Sequence, residues 1–413
     1  MARSCIINAN IYTPLGTSAR RGKEMSELHH YENYAILVED GIISDLVPMA
    51  DLPALDDDVE VVDAAGHAVL PGFVDSHTHL VFGGYRPDEF EWRLKGDTYM
   101  SIMERGGGIQ STVNATRAAS ADELEVKAAW FLDRMSEMGV TTVEAKSGYG
   151  LDTESEMKML DVIDRLVSRS DSPVRVVSTF LGAHAVPAEY KGRTDEYVDL
   201  MIREMIPAAQ GRAKFFDIFT EKNVFEIEES RRLLTAARDA GFKLKLHADE
   251  IVQLGGAELA AEMGAVSADH LLHVSDEGVK RMAERGVVAT LLPLTAFALR
   301  EPFAPARMFI DAGAAVALAT DLNPGSCFSG SIPLTIALAC IYMKMSIEET
   351  ITALTLNGAA AVDLADTTGS IQVGKSADVV ILNFDTYKSL PYYVGMNCVK
   401  TVISRGRVVT RNN

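Results

Sequence analysis

At 413 residues, with 47% hydrophobic and 23% charged side chains, the chain has apolar material for one large domain and a smaller one, which excludes a disordered polypeptide. A formal net charge of -19 excludes a broad nucleic-acid or anionic-membrane surface, because no cluster of Lys and Arg offsets it, and any anionic ligand must find local cations. The most apolar stretch, VVATLLPLTAFAL (287–299), is too short to cross a bilayer and contains a proline, so it reads as core.

The opening MARSCIINANIYTPLG shows no charged segment leading into a long apolar one, so a cytoplasmic protein is expected. Short β-rich runs follow (SCIINANIY, YAILVEDGIISDLV, VEVVDAAG), and two more close the chain (GSIQVGKSADVVILNFD, VKTVISRGRVVT). With Gly and Asp turn signals between them, they predict one small β-sandwich domain built from residues 1–66 and 367–413. Between these, over 67–366, apolar β-branched runs alternate with stretches of helical period, the pattern of strand–helix units and a parallel sheet. Eight such runs are present: AVLPGFVDS, VTTVEAKS, VRVVSTFLGAH, FFDIFT, KLKLHAD, AVSADHL, VVATLLP and AAVALATD. Eight strands close a barrel, so the fold class is α/β, a TIM-like (β/α)8 barrel with the β-sandwich appended.

Among the intervening helices, SADELEVKAAWFLDRMSEMG offers a capping box at Ser120 and Glu123 and a stop at Gly139. SIPLTIALACIYMK is apolar nearly all round and is expected to lie buried against the barrel. RGGGIQST (105–112) is glycine-rich but lacks the Lys-Ser/Thr of a phosphate loop, and reads as a flexible wall or lid. Cys5, Cys327, Cys340 and Cys398 are scattered, with no Cys-x-x-Cys pair, which suits free thiols.

Several runs end in groups able to bind metal or move protons: His77 and His79, Lys146, His184, His247, Asp269 with His270, and Asp321. All strand C-termini of a parallel barrel open on one face, so these residues converge there. His77 and His79, one residue apart, share a face if the strand runs on, whereas as loop residues they are ordinary polar punctuation. Three imidazoles and a carboxylate (His77, His79, His247, Asp321) form a set for one divalent ion, Zn2+ or Fe2+, with a place left for water. KLKLHADE resists simple alternation: Lys243 and Lys245 fall on the His247 side, so either lysines line the barrel or the strand is bulged.

GFVDSHTH, with Gly72, Phe73, Asp75, His77 and His79, resembles the first-strand motif of the amidohydrolase superfamily, and the likeness continues through LHADE, ADHLL and LATDLNPGS over essentially the whole chain. EAKSGYGL (144–151), FLGAHAVPAEY (180–190) and TDLNPGS (320–326) are similar to members that open 4-imidazolone-5-propanoate to N-formimidoyl-L-glutamate in histidine breakdown. The resemblance implies that Asp321 orients the attacking water and carries its proton to the leaving nitrogen. It implicates Arg86, Tyr149 and His184 in holding the propanoate, and Asn323, Gly325 and Ser326 in facing the ring and the product's formimidoyl end. Arg86 alternatively forms a surface ion pair with Asp88 or Glu89.

Glu250 hydrogen-bonds the ring or the water, or else is an exposed acid at a helix start. His270 polarises the developing oxyanion as a donor. His273 is expected to be structural, Cys327 a packing residue, and Lys146 a partner in a structural ion pair. Members with two ions bridge them through a carboxylated lysine at the end of the fourth strand. Here Lys222 falls beyond FFDIFT, so one ion is expected. The partners implied are a small anionic substrate, no nucleic acid, no membrane, and a second copy in a homodimer. Two rival readings are a deaminase of a heterocyclic base within the superfamily and a non-catalytic scaffold on the same fold.

Overall fold

The computed structural model describes residues 3–97, 105 and 107–412. The N-terminal segment supplies β1 (Arg3–Thr13), β2 (His29–Glu39), β3 (Ile42–Pro48), β4 (Glu60–Asp63) and β5 (Ala68–Pro71). The barrel strands are β6 (Phe73–Asp75), β7 (Val140–Lys146), β8 (Arg175–Ala183), β9 (Phe215–Thr220), β10 (Lys243–Ala248), β11 (Ser267–His270), β12 (Val288–Leu291) and β13 (Val316–Leu318). After them come β14 (Val379–Leu382), β15 (Val399–Ser404) and β16 (Arg407–Arg411).

The terminal strands form one mixed sheet in the order β16-β15-β14-β5-β1-β2-β3, with β4 pairing β1, around a core of Ile6, Ile11, Ile36, Val69, Ile381 and Ile403. β6 to β13 pair in sequence order, all parallel. Past the strand ends the two edges meet. Asp321 N–H donates to His77 O at 3.0 Å, His79 N–H donates to Leu322 O at 2.9 Å, and Asp75 accepts both the N–H and the hydroxyl of Thr320, at 3.0 and 2.6 Å. The first and eighth strands are thus stitched at the level where the metal-type residues begin.

Seven of the eight apolar runs form barrel strands where expected, but AVLPGFVDS is shared between two sheets. Ala68–Pro71 pairs with β1 and β14, and the chain then passes Gly72 into β6. Only glycine fits at this step, because a Cβ would sit 2.2 Å from Thr141 Oγ1. Each barrel strand alternates. In β7, Val143 and Ala145 join the apolar layer, whereas Glu144 and Lys146 form ion pairs inside the barrel. Barrels of this kind are commonly filled by branched apolar side chains; here the middle of the barrel is ionic.

The helix Ala121–Glu137 carries the capping box at Ser120 and Glu123, and Gly139 follows it at φ +94°. In the helix Ile332–Ile341 the expected burial holds only as far as Ala339, since Ile341 is 56% exposed. The helix Leu356–Ala361 packs under the barrel against Val74, Phe215 and Ala317. Among the described residues, no helix is long and apolar enough to cross a membrane.

Candidate metal centre and substrate pocket

His77 and His79 follow β6, His247 lies in β10, and Asp321 follows β13 in the left-handed region at φ +56°. Their ligating atoms converge: Asp321 Oδ1 is 3.6 Å from His77 Nε2 and 3.5 Å from His79 Nε2, and His247 Nε2 is 3.3 Å from His79 Nε2. Four ligands about 2.1 Å from one ion in a tetrahedral arrangement stand roughly 3.4 Å apart, which these three distances match; donor atoms within 4.8 Å of one another form the sets His77–His79–His247 and His77–His270–Asp321, so Asp321 closes on the centre from the His270 side. His77 Nε2 and Asp321 Oδ1 are buried without a hydrogen-bond partner, an arrangement that costs free energy unless a cation occupies the centre. Burial holds His77 and His79 well below the usual histidine range, which keeps them neutral, as ligation requires. Burial likewise pushes Asp321 up to about 6; Thr295 opposes this by donating its hydroxyl to Oδ2 at 2.5 Å.

Beneath these ligands lies the ionic layer. Lys146 Nζ is 2.7 Å from Asp217, 2.8 Å from Glu144 and 3.9 Å from Asp269; Lys245 Nζ is 3.0 Å from Glu144 and 3.6 Å from Asp269. All five side chains are fully buried. Asp269 Oδ2 is 2.6 Å from His77 Nδ1, and Asp217 Oδ2 is 3.1 Å from His247 Nδ1. Asp269 therefore accepts the Nδ1–H of His77, and Asp217 stands within ion-pair distance of His247 Nδ1; both contacts leave Nε2 toward the centre, the usual support for a metal-bound histidine. Burial alone would raise Asp217 and lower His247, but the pair outweighs it in both directions, with Lys146 adding to the depression of Asp217.

This layer resolves the puzzle of KLKLHADE. Lys245 lines the barrel and also donates to Ser76 O at 2.9 Å, whereas Lys243 leaves at the bottom to pair with Asp363. No bulge is needed. Lys146 is the structural partner expected, and Lys222 is exposed.

Above the centre opens a cavity of about 480 Å³, whose walls include Arg86, Tyr149, His184, Glu250, His270, Asn323, Gly325 and Ser326, together with His273 and Ile109. Arg86 forms its ion pair with Glu89 at 2.6 Å, largely buried instead of at the surface, and also lines the cavity. Tyr149 and His184 belong to one unit, because His184 Nδ1 is 2.9 Å from Gly148 O. His184 therefore donates Nδ1–H to that carbonyl. Burial lowers its pKa to about 3, so Nε2 presents a lone pair to the cavity. Asn323 turns its side chain inward: Oδ1 accepts Gly325 and Ser326 N–H, both at 2.8 Å, and Nδ2 donates to Asp321 O at 2.7 Å.

Glu250 stands in a loop; the next helix begins only at Gly256, so it is not a helix-start acid. Its Oε1 is 3.5 Å from His270 Nδ1, and burial, with Asp321 nearby, pushes it up to about 8. Asp249 (φ +48°), His270 (φ +76°) and Leu271 (φ +62°) share the left-handed backbone that non-glycine residues adopt at a cost, clustered here at the cavity. RGGGIQST is only partly a loop: the helix Ile109–Ala118 starts within it, Gly108 caps it at φ +80°, and Gly106 lies outside the described residues.

The amidohydrolase family model matches residues 68–409. An imidazolonepropionase of Bacteroides thetaiotaomicron is 62% identical over 98% of this chain and 99% of that protein, and one of Clostridium tetani is 55% identical over 98% and 97%. The chain belongs to the amidohydrolase family, among the imidazolonepropionases. Solved amidohydrolase folds lie further off. A triazine hydrolase from Arthrobacter aurescens has a TM-score of 0.76 at 17% identity, covering 100% of this chain and 95% of that one. A zinc-bound adenosine deaminase from Xanthomonas campestris has 0.68 at 20%, covering 98% and 93%. At such identities only the fold is shared.

The four candidate ligands of this amidohydrolase were named from its sequence and come close together, but several residues that hold the site were not named. Glu156, fully buried, accepts the N–H groups of Gly148, Gly150 and Leu151 at 3.1, 2.7 and 2.9 Å and so shapes the loop carrying Tyr149. Asp249 accepts four backbone N–H groups from Leu254 to Ala257, and Glu221 accepts those of Ile251 and Val252 at 2.8 and 3.4 Å, so Glu250 is pinned from both sides. Glu156 sits in an ordinary helical stretch and carried no signal. A carboxylate directly after HA in LHADE was a signal for Asp249, had its short side chain been read as a loop-former.

Proposed function

We propose that the chain hydrolyses the cyclic amide of 4-imidazolone-5-propanoate to N-formimidoyl-L-glutamate. The observation that carries this reading is one cavity holding both a four-ligand cation site and, on its wall, the arginine fork suited to a carboxylate. Imidazolonepropionases 55–62% identical over nearly the full chain support it.

His77, His79, His247 and Asp321 would hold one divalent cation. Such an ion supplies Lewis acidity, making water a nucleophile near neutral pH and polarising a carbonyl. In this reading Asp321 orients the attacking water, takes its proton, and returns it to the ring nitrogen as the carbon–nitrogen bond breaks. Glu250 stands with Oε1 3.5 Å from His270 Nδ1, and burial pushes its pKa up to about 8. With its proton on Nε2, His270 would be a donor for the developing oxyanion. Arg86 and Tyr149 hold the propanoate. His184, with Nε2 a lone pair, accepts a substrate N–H or gains a proton when a carboxylate arrives. Ser326 and the backbone of Asn323 and Gly325 face the ring and the formimidoyl end.

The ion is Zn2+ or Fe2+, since both accept three imidazoles and a carboxylate. The assembly is a homodimer, the commonest closed form, and four free cysteines suit the reducing cytoplasm. The test is to offer the purified protein imidazolone propanoate before and after chelation and to follow loss of the ring. Ring opening that stops on chelation and returns with Zn2+ or Fe2+ is expected. A metal-loaded protein that leaves the ring intact overturns the substrate, and one that deaminates a neutral heterocycle instead establishes the rival.

A further inference from the structure

Arg86 caps the helix Pro87–Leu94, and Glu89 and Arg93 lie one and two turns further along it. Glu89 receives Arg86 Nε at 2.9 Å and Nη2 at 2.6 Å on a single oxygen, Oε2, which also accepts Gly108 N–H at 3.1 Å. The guanidinium is thus held by its side edge, with both partners largely buried at 12% and 9% side-chain exposure. Among the described residues its other end, Nη1, makes no hydrogen bond and points at Gly325, where a Cβ would lie 2.8 Å from Nη1 and 3.7 Å from Cζ. Gly325 is itself fixed. Arg93 Nη2 donates to its carbonyl at 3.0 Å while lying over the Phe328 ring at 5.5 Å, and Asn323 Oδ1 takes its N–H.

A planar guanidinium offers a carboxylate two parallel donors along either its side edge or its end, and a fork already held in place loses less freedom when a ligand arrives. We propose that Glu89 is a positioning residue and Gly325 a specificity-determining one: Glu89 grips the side edge of Arg86, and the space left by Gly325 admits the Nη1–Nη2 end, which grips the carboxylate arm of the substrate. This rests on the reading that Arg86 meets that arm. It adds that selection for an acid substrate depends on Glu89, which holds the fork by its far edge, and on the methyl group that Gly325 lacks beside Nη1. Glu89→Gln removes the charge and turns either a weaker oxygen or an amide donor toward three N–H groups. Gly325→Ala keeps the backbone, since Gly325 lies outside the left-handed region, and its methyl presses first on the end of Arg86 at 2.8 Å and more lightly on Asn323 Oδ1 at 3.4 Å.

The experiment measures kcat and KM of the metal-loaded protein for imidazolone propanoate and for its uncharged propanamide analogue, with thermal midpoints as control. Wild type is expected to prefer the acid. Glu89→Gln and Gly325→Ala should each lower the acid-to-amide ratio of kcat/KM roughly tenfold, the loss of one charge-assisted hydrogen bond, chiefly through KM of the acid. Arg86→Lys should lower it as well. A ratio unchanged in both variants, or both substrates weakened alike, overturns the proposal and leaves Glu89 a scaffold residue. Should Glu89→Gln fail to fold, Gly325→Ala decides alone. A wild type that opens neither compound, or shows no preference for the acid, would instead sink the functional reading.

Discussion

The floor of the cavity and its rim are built by different means. In the floor, the candidate ligands and their supports are side chains on barrel strands or just past their ends, all fully or almost fully buried, with each carboxylate answered by a lysine or an imidazole. In the rim, the groups that face the substrate are held through backbone: Glu156 on the Tyr149 loop, Asn323 on the Gly325 turn, Glu89 on Gly108 as well as on Arg86. A strand-borne site is rigid and changes little without losing the barrel, whereas a loop-borne wall is free to vary. Proteins sharing only the fold are as different as a triazine hydrolase and an adenosine deaminase, while relatives 55–62% identical over nearly the whole chain carry one name.

If the floor carries the chemistry, the largest single effect should come from Asp321→Asn, which keeps the shape and removes the charge and the proton carrier. We expect kcat to fall by about 10^2–10^4-fold while KM changes little, with bound metal measured alongside. A variant retaining a tenth of wild-type kcat would show that Asp321 does not carry the proton. Next is Lys146→Met, which leaves Asp217 and Glu144 without their shared cation. Breaking a buried ion pair costs about 3–5 kcal/mol, visible as a large loss in urea midpoint, whereas an exposed pair such as Arg165–Asp122 should contribute under about 1 kcal/mol. Equal effects at the two places would erase the contrast drawn between floor and surface.

How much of this the sequence discloses depends on the same division. The period of apolar runs placed seven barrel strands, and HTH, LHADE and TD placed the ligands, because a barrel brings every strand end to one mouth. Lys245 was ambiguous because strand alternation assumes an apolar interior, and a charged side chain is readable there only when its partners Glu144 and Asp269, 101 and 24 positions away, are known to be neighbours. The split of AVLPGFVDS escaped for a different reason: the run is continuously apolar because both sheets bury it, and the close approach of Thr141 to Gly72 leaves no trace in composition. The rim was the least legible. Glu156 and Glu89 act through backbone N–H groups, and any residue type provides those.

Glu156 also gives the finest test of the rim. Its two oxygens accept three N–H groups, Oε2 from Gly148 and Oε1 from Gly150 and Leu151, and burial raises its pKa against those bonds. In Glu156→Gln one oxygen becomes an amide donor facing a backbone donor, so either Gly148 N–H or the other two lose their acceptor. Gly148 also holds His184 through its carbonyl, so a turned peptide there would release both Tyr149 and His184 from the wall. The link of this carboxylate toward the floor is Ser147, next to Lys146 and not itself one of the candidate ligands or their supports. Glu156→Gln should therefore raise KM by roughly tenfold, about 1.4 kcal/mol, while kcat and metal content stay near wild type. A fall in kcat or in bound metal of the same size would mean that the loops and the barrel floor are coupled, and that the rim is not the separately variable part its construction implies.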